Sequence, residues 1–344
     1  MAGKAKVILR RADSYDPSAI AGIIEEGLDE FGLGPRVRGK VTIKPNVVMA
    51  HHRVNPSAYT RSEFLVYAPK LKTNALSHGL TAALKLNIGI LCDGERMWNH
   101  NYNLDEKIVD LLEVGYPDFI ATDAIEASCG GNHLTQHGHH LGVIVMATNP
   151  LAPDVVCAHI FHLDPEKVGH LACARARGYG SLDLSAIEIG GHISLEEVRE
   201  RTKTWKTGFI RAEEVDCNIK IVSGEPYCTG GCQGVFLDWL YMIKDRKPAL
   251  WTKLPAWTAV IGKYKGDITA ERLLLIGSCT KIDGRVSAGK KRRIRGCPPK
   301  HKTLVLLLLL KAGILNPLFR LDLIIDAYPF LFWTWFKRFV KGRF

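Results

Sequence analysis

Four cysteines of this chain lie in glycine- and proline-rich surroundings that suit thiolate ligands. They occur in the sequences Cys228-Thr229-Gly230-Gly231-Cys232, Gly277-Ser278-Cys279 and Gly296-Cys297-Pro298-Pro299. A [4Fe–4S] cluster takes four thiolates from tight turns. Glycine lets backbone N–H groups approach the sulfurs and tune the potential of the cluster. We therefore predict one [4Fe–4S] cluster held by Cys228, Cys232, Cys279 and Cys297.

Two other interpretations of these four cysteines stay open. The Cys-x3-Cys spacing of Cys228 and Cys232 also fits a structural zinc with four thiolates. Alternatively, the four residues lie in separate turns and bind no metal. The other five of the nine cysteines are scattered singly, which is typical of small buried hydrophobic residues; they are Cys92, Cys129, Cys157, Cys173 and Cys217.

Lysines follow two predicted strands at the points where those strands end. Lys44 and Asn46 end one strand, and Lys70 and Lys72 come after another. The carboxyl ends of strands in an open α/β sheet converge on the ligand crevice. We therefore expect these four residues to bind an anionic substrate, a phosphate or a carboxylate. The alternative is that they are solvated lysines at strand ends.

Three acidic residues are candidates for acid–base catalysis or for binding a divalent ion. Asp123 and Glu126 lie at a predicted strand end, and Asp154 lies in a turn. Ordinary capping of helix N-termini by Asp123 and Asp154 would explain the same positions. The sequence therefore names candidates and leaves the catalytic residues unknown.

The elements that must position these residues alternate between strand and helix. A strand over residues 5–10, a helix over 17–32 and a strand over 40–43 begin the chain. This order predicts an α/β fold with a layered, mostly parallel sheet flanked by helices. We find no internal repeat. The predicted domains are an α/β domain, a smaller cysteine-bearing α/β region and an apolar, basic tail, over residues 1–192, 193–302 and 303–344.

A set of short motifs in the first 192 residues resembles one known family. They are KPN at 44–46, NPSAYT at 55–60, PKLKT at 69–73, a strand that ends at Asp123, Gly130-Gly131, and NPLAPD at 149–154. This set resembles domain-of-unknown-function family 362, often labelled iron–sulfur centre proteins, over roughly residues 5–192. The resemblance implies the α/β fold and an iron–sulfur cofactor more than it implies a particular reaction.

The chain departs from that family in two places. Asn74 stands where His is usual, and the segment near 61–69 is shorter than in typical members. If a strand and helix are absent there, the first half of the sheet is incomplete. The cysteine pattern that ends at Cys297 is also similar to that of the small subunits of nickel–iron hydrogenases and respiratory NADH dehydrogenases, although the likeness is limited to the pattern.

Positive charge is concentrated at the carboxyl-terminal end of the chain. The net charge is +11, and residues 285–302 hold eight Lys or Arg and no acidic residue. Residues 285–344 carry +12, so the first 284 residues carry −1. A generally basic domain is therefore excluded, and we do not expect a nucleic-acid partner. Lysines and arginines next to Cys297 would offset the negative charge of a cluster.

The tail combines apolar, aromatic and basic residues. Its longest aliphatic run, LVLLLLL at 304–310, is much shorter than the roughly 20 residues that a membrane span needs. Trp with Lys and Arg is typical of a segment lying at an anionic membrane surface. Docking on a partner subunit or on the protein's own core stays open. The start of the chain lacks a signal-peptide pattern, so we expect a cytoplasmic protein, peripheral on the inner face of the membrane.

These observations favour an iron–sulfur protein with an electron-transfer or redox role, acting with a redox partner protein on an anionic small molecule. They do not decide whether the protein is an enzyme; oxidoreductase is the class they favour. A metal-independent transferase or lyase acting on an anionic substrate is the first alternative. A non-catalytic assembly or membrane-docking protein is the second.

Overall fold

The chain forms two compact units. The computed structural model describes residues 4–46, 62–73, 79–91, 103–129, 137–207, 211–225, 229–246, 248–299, 303, 332–333, 336 and 339–340. The first unit comprises residues 1–215 and 225–238, and the second comprises 216–224 and 239–344. The first unit therefore extends beyond the predicted boundary at 192 and includes the helix Leu195–Thr202.

The first unit is built on a seven-stranded sheet. Its strands are β1 (Ala5–Arg11), β2 (Val41–Pro45), β3 (Phe64–Ala68), β4 (Lys70–Lys72), β5 (Phe119–Cys129), β6 (His137–Ala147) and β7 (Ile187–Gly191). They are ordered β2-β3-β5-β6-β1-β7, and β4 also pairs with β5. Only β6 runs antiparallel to its neighbours, β1 and β5. The predicted mostly parallel α/β sheet is confirmed.

The short segment near 61–69 does not interrupt this sheet. β3 pairs with β2 along its whole length, from Phe64 to Ala68. β3 also pairs with β5 through Val66 and Tyr67. β2, β3 and β5 therefore form a continuous part of the sheet, and the effect of the shorter segment on activity stays a prediction.

Helices cover both faces of the sheet. They are α1 (Pro17–Glu30), α2 (Leu104–Asp110), α3 (Leu151–Ile160), α4 (Gly169–Ala176) and α5 (Leu195–Thr202). Ile8 packs with Phe119, Met146 and the apolar side of α1. Val7 and Leu9 belong to the larger core that α2, α3, α4 and α5 cover. Alternate residues of β1 thus face opposite layers, as the period of two in a strand requires.

The start of α1 follows from local sequence. The side chain of Asp16 accepts a hydrogen bond from the backbone N–H of Ala19 at 2.8 Å. Pro17 occupies the first helical position, where no N–H is needed. This cap sets where the chain leaves β1 and crosses the sheet.

The second unit contains four strands that all run parallel. They are β8 (Lys220–Ser223), β9 (Thr258–Lys265), β10 (Ile268–Asp283) and β11 (Val286–Ile294), in the order β11-β10-β9-β8. The helices α6 (Gly234–Arg246) and α7 (Pro248–Trp251) lie between β8 and β9 in the sequence.

In the second unit, successive turns of the chain stack on one another with a repeat of 18 residues, and each such turn is called a coil. Ile268 pairs with Val286 and Ile276 with Ile294. Lys263 pairs with Lys281 after a register shift in β10. Only two residues join β9 to β10, and only two join β10 to β11, yet both pairs run parallel. This arrangement is possible because β10 bends between residues 276 and 281. Identical residues recur at Lys263/Lys281, Gly266/Gly284, Ala270/Ala288, Ile276/Ile294 and Cys279/Cys297. The expectation of no internal repeat is therefore wrong.

At β11, positively charged side chains cover the apolar core of the second unit. Val260, Ile268, Leu273 and Leu275 form the core. Arg293 pairs with Leu275, and its guanidinium donates to the carbonyl oxygens of Gly277 at 3.1 Å and Thr280 at 2.8 Å. A polar last repeat is the usual way to end a coiled array.

The tail predictions mostly concern residues outside those described, including 304–331. In the described tail, five large apolar side chains are exposed: Phe332, Trp333, Phe336, Phe339 and Val340. Docking of residues 303–344 on an anionic membrane stays a prediction. No helix among the described residues is both long and apolar enough to cross a membrane.

Substitution of Thr280 tests whether the bend in β10 stabilises the second unit. Its buried hydroxyl accepts from the N–H of Gly262 at 3.1 Å and donates to the carbonyl of Ile276. We expect Thr280→Val to leave that N–H without an acceptor and to lower the stability of the second unit by about 1–3 kcal/mol. Hydrogen exchange at the amides of β9 and β10 measures this loss locally.

Thr280→Ser is the control, because it keeps the hydroxyl. Equal protection of the β9 and β10 amides in the Val variant and the wild-type protein would contradict the role given to this side chain.

Candidate functional site

The carboxyl edge of the first sheet gathers three polar side chains. Lys70 pairs with Asp123 in the register of β4 and β5. The Lys70 Nζ lies 2.9 Å from an Asp123 carboxylate oxygen. The Tyr15 hydroxyl lies 3.2 Å from each oxygen of the same carboxylate and also contacts Lys70 Nζ. The structure therefore joins two predicted site residues and adds a third.

Tyr15 was not among the residues singled out in the sequence. It lies between β1 and α1, in the first loop at the carboxyl edge of the sheet. Loops at that edge form the ligand crevice of open α/β sheets. The position of Tyr15 in the predicted strand–loop–helix order is the signal that could have identified it.

The contacts of Lys70 determine its charge. Burial by itself lowers the pKa of Lys70, but its hydrogen bonds to Tyr15 and Asp123, together with the charge of Asp123, outweigh burial and raise the pKa. Lys70 is therefore a stable cation whose charge is offset by a neighbouring carboxylate.

Lys72 lies on the same side of β4 as Lys70 in a different environment. Leu71, between them, is fully buried on the other side. Burial lowers the pKa of Lys72. Within the described ranges no carboxylate forms an ion pair with Lys72. Of the predicted lysines in β4, Lys72 is thus the one whose amine is suited to an incoming anion or proton.

Lys44 and Asn46 hold the end of β2. Lys44 is only 8% exposed, and its Nζ donates to the carbonyl oxygen of Pro45 at 2.7 Å. A Cβ at Gly89 would lie 3.2 Å from that Nζ, so glycine there leaves room for the ammonium. The Asn46 N–H donates to the carbonyl of Ala68 at 3.1 Å. These contacts place both residues at the carboxyl end of β2, as predicted.

The pairing of β5 with β6 changes register between Asp123 and Glu126. From Ala124 to Glu126 β5 advances two residues while β6 advances three, so the extra residue lies in β6. Glu126 then lies 3.3 Å from Nδ1 of His140. Asp123 lies inside a strand and does not cap a helix, so the capping interpretation is wrong for this residue.

Asp154 is fully buried and acts within the protein's own framework. Its two carboxylate oxygens accept the N–H groups of Ala83 and Leu84, at 2.7 and 3.0 Å. Burial raises the pKa of Asp154 to about 7, although both backbone hydrogen bonds lower it. Asp154 thereby holds the start of the 3-10 segment Leu84–Ile90. The first N–H groups of α3 instead bond to Asn149.

The repeat of the second unit brings two predicted ligands to equivalent positions. Cys279 and Cys297 are both exposed. The residues before them are bonded directly, because the Ser278 N–H donates to the carbonyl of Gly296 and the Gly296 N–H donates to Ser278 Oγ, each at 2.8 Å. The two cysteines therefore follow the same turn on neighbouring coils.

The other two predicted ligands precede α6. Cys232 is buried in the first unit, and Cys228 lies outside the described residues. Gly231, between them, has φ −120° and ψ −121°, which bends the segment Thr229–Gln233. In the part of the chain that the structure describes, no group of three or more His, Cys, Asp or Glu is arranged to hold a metal ion.

Of the remaining cysteines, Cys92 lies outside the described residues and the other four are buried or half-buried. Cys129 and Cys157 are buried, and Cys173 and Cys217 are half-buried. Burial raises the pKa of Cys129 to about 11 and that of Cys157 well above its ordinary value. Both thiols are therefore protonated at neutral pH and serve as small apolar side chains.

Comparison with protein families bears on the first unit. Residues 31–159 match the family model of the domain of unknown function DUF362. The predicted resemblance is confirmed for this DUF362 segment, which is shorter than the range 5–192 expected for it. It includes Lys44, Lys70, Lys72 and Asp123, whereas Tyr15 and the second unit lie outside it. No curated protein and no solved structure matches the chain.

Asp154 predicts a pH dependence of stability. Its pKa rises from an ordinary 3.8 in the unfolded chain to about 7 in the fold. The stability linked to this proton is therefore complete below about pH 4 and is lost as the pH rises through 7. Asp154→Asn removes the titration. We expect the difference in free energy of unfolding between the wild type and Asp154→Asn to shrink from pH 5 to 7 and to level off by pH 8.

Urea unfolding at pH 5, 6, 7 and 8 measures that difference. The variant is also expected to be less stable than the wild type at pH 5, because an amide NH₂ cannot accept the second backbone N–H. A difference that stays constant from pH 5 to pH 8 would contradict the raised pKa.

Proposed function

We propose that this protein binds one iron–sulfur cluster and takes part in electron transfer. The ligands are Cys228, Cys232, Cys279 and Cys297, the four residues predicted from the sequence. When bound, such a cluster accepts and donates single electrons. The chain's own residues would hold it and set its electrostatic surroundings.

The repeated position of Cys279 and Cys297 is the observation that carries this proposal. Neighbouring strands lie about 4.8 Å apart, and the bonded residues Ser278 and Gly296 directly precede the two cysteines, which supports a shared site for their thiols. Both thiols are exposed, whereas other cysteines such as Cys129 and Cys157 are buried. Gly277 and Gly296 have φ values of 100° and 140°, which favour glycine and shape both turns.

Charge near this pair also supports the proposal. The guanidinium of Arg293 bonds to carbonyls on either side of Cys279, those of Ser278 at 3.4 Å and Thr280 at 2.8 Å. Positive charge there would offset the negative charge of a thiolate-ligated cluster. It would raise the reduction potential of that cluster.

Metal analysis of anaerobically prepared protein tests the proposal. We expect iron and acid-labile sulfide in equal amounts, and a fall of at least three-fold in iron for Cys279→Ser and for Cys297→Ser. Cys217→Ser is the matched control, since Cys217 is a half-buried cysteine of the same unit whose Sγ bonds to the carbonyl of Ile219.

Three results would overturn the proposal. Zinc in place of iron would support the structural-zinc interpretation. Absence of both metals would support separate turns that bind no metal. Equal iron in all three variants would place any cluster on other residues.

A second candidate function is supported by Lys72. This is the binding and conversion of a small anionic molecule at the carboxyl edge of the first sheet, without a metal. An amine with a lowered pKa and no ion-pair partner among the described residues can bind an anion or accept a proton.

Chemical labelling tests this second function, with Lys70 as the control in the same strand. At pH 8 we expect acetic anhydride to modify Lys72 more than Lys70, because the pKa of Lys72 is lowered and that of Lys70 is raised. Added phosphate or succinate should protect Lys72 and leave the exposed Lys203 unchanged. Equal labelling of the two β4 lysines, or no protection by either anion, would argue against an anion site.

A further inference from the structure

A groove on the second unit combines an apolar floor with a cationic rim. Its volume is about 460 Å³, within the usual range for small-molecule sites. The described lining residues are Trp257, Arg272, Leu273, Leu274, Lys290, Lys291 and Arg292. None of them belongs to the proposed cluster ligands or to the DUF362 segment.

Strand register explains why these side chains meet. Arg272 pairs with Lys290, and Leu274 pairs with Arg292. Thr258 pairs with Leu273, so Trp257 precedes β9 level with Arg272. Residues two apart in a strand share a face. Arg272, Leu274, Lys290 and Arg292 therefore lie on one face of the sheet.

The rim of the groove concentrates positive charge, and few carboxylates among the described residues lie near it. Like charges directly opposite each other on neighbouring strands are destabilising, and Arg272 faces Lys290 in this way. Among the described lining residues there is no carboxylate. Arg272 forms an ion pair with Glu271, at 4.0 Å. An anion between Arg272, Lys290 and Arg292 would relieve this repulsion.

The floor requires more than a bare anion. Trp257 is 8% exposed, and Leu274, on the same face as the cations, is 4% exposed. These side chains present apolar surface beneath the cations, so a ligand with an apolar group removes that surface from water. The 18-residue repeat places three basic residues of β11 beside three residues of β10. Lys290, Lys291 and Arg292 pair with Arg272, Leu273 and Leu274.

We propose that this groove binds an amphiphilic anion, a phosphate or carboxylate that carries an acyl chain or an aromatic ring. The anionic group lies between Arg272, Lys290 and Arg292, and the apolar group lies on Trp257 and Leu274. Such a ligand has two sources, a free small molecule or the headgroup region of an anionic lipid.

Calorimetric titration of the full chain with octyl phosphate tests the proposal. We expect saturable binding at least ten-fold tighter than that of inorganic phosphate, and no binding of octyltrimethylammonium. The double variant Arg272→Gln/Lys290→Gln should weaken octyl phosphate binding at least ten-fold. Both side chains are exposed, so the variant is expected to fold.

Lys263→Gln/Lys281→Gln is the matched control. These lysines are also exposed and pair directly across β9 and β10, and their substitution removes the same charge. Equal weakening in both double variants would show a non-specific charge effect and overturn the proposal. So would equal binding of the cationic amphiphile, or absence of saturable binding.

Vesicles distinguish the two sources of the ligand. If the ligand is a lipid, the protein should float with phosphatidylglycerol vesicles, and the Arg272→Gln/Lys290→Gln variant should not. If the ligand is a free small molecule, octyl phosphate should bind while flotation is absent or equal in the two double variants. The cluster ligands are unchanged throughout, so iron content reports separately on the proposed function.

Discussion

Parallel pairing of strands in a fixed register brings together side chains that are far apart in the sequence of both units. In the first sheet it sets Lys70 of β4 against Asp123 of β5, across 53 residues. In the second unit an 18-residue register aligns consecutive coils. That register places Cys279 near Cys297 and Arg272 beside Lys290. The proposed cluster ligands and the proposed anion groove both depend on this pairing, because a slip of one residue would turn every side chain to the other face.

Burial and local hydrogen bonds then decide which charged groups are available for chemistry. Lys70 and Lys72 are two residues apart on one strand, but Asp123 and Tyr15 engage the first, while burial lowers the pKa of the second. Both carboxylate oxygens of Asp154 accept hydrogen bonds from backbone N–H groups within the protein. These differences come from the neighbours of each side chain, which residue type and spacing do not reveal.

The extent of successful prediction follows the range of the interactions involved. The start of α1 at residue 17 and the strand over residues 5–10 were predicted, since their causes lie within a few neighbouring residues. The register shift between β5 and β6 was not, because it appears only when the two strands pair. The 18-residue repeat was also missed. Leu273 and Leu274 become Lys291 and Arg292 in the next coil, which hides the repeat from a hydrophobic pattern.

By itself, the sequence determined the α/β class, the mostly parallel sheet, the likeness to DUF362 and the concentration of positive charge after residue 284. Strand propensity, helix caps and charge counts are local properties, and local properties can be read along a chain. The tertiary structure alone decided that Tyr15 joins Lys70 and Asp123, that Asp154 is buried, and that Cys279 and Cys297 occupy equivalent turns. Those outcomes depend on strand register and on the removal of side chains from water, and both are set only when distant segments pack together.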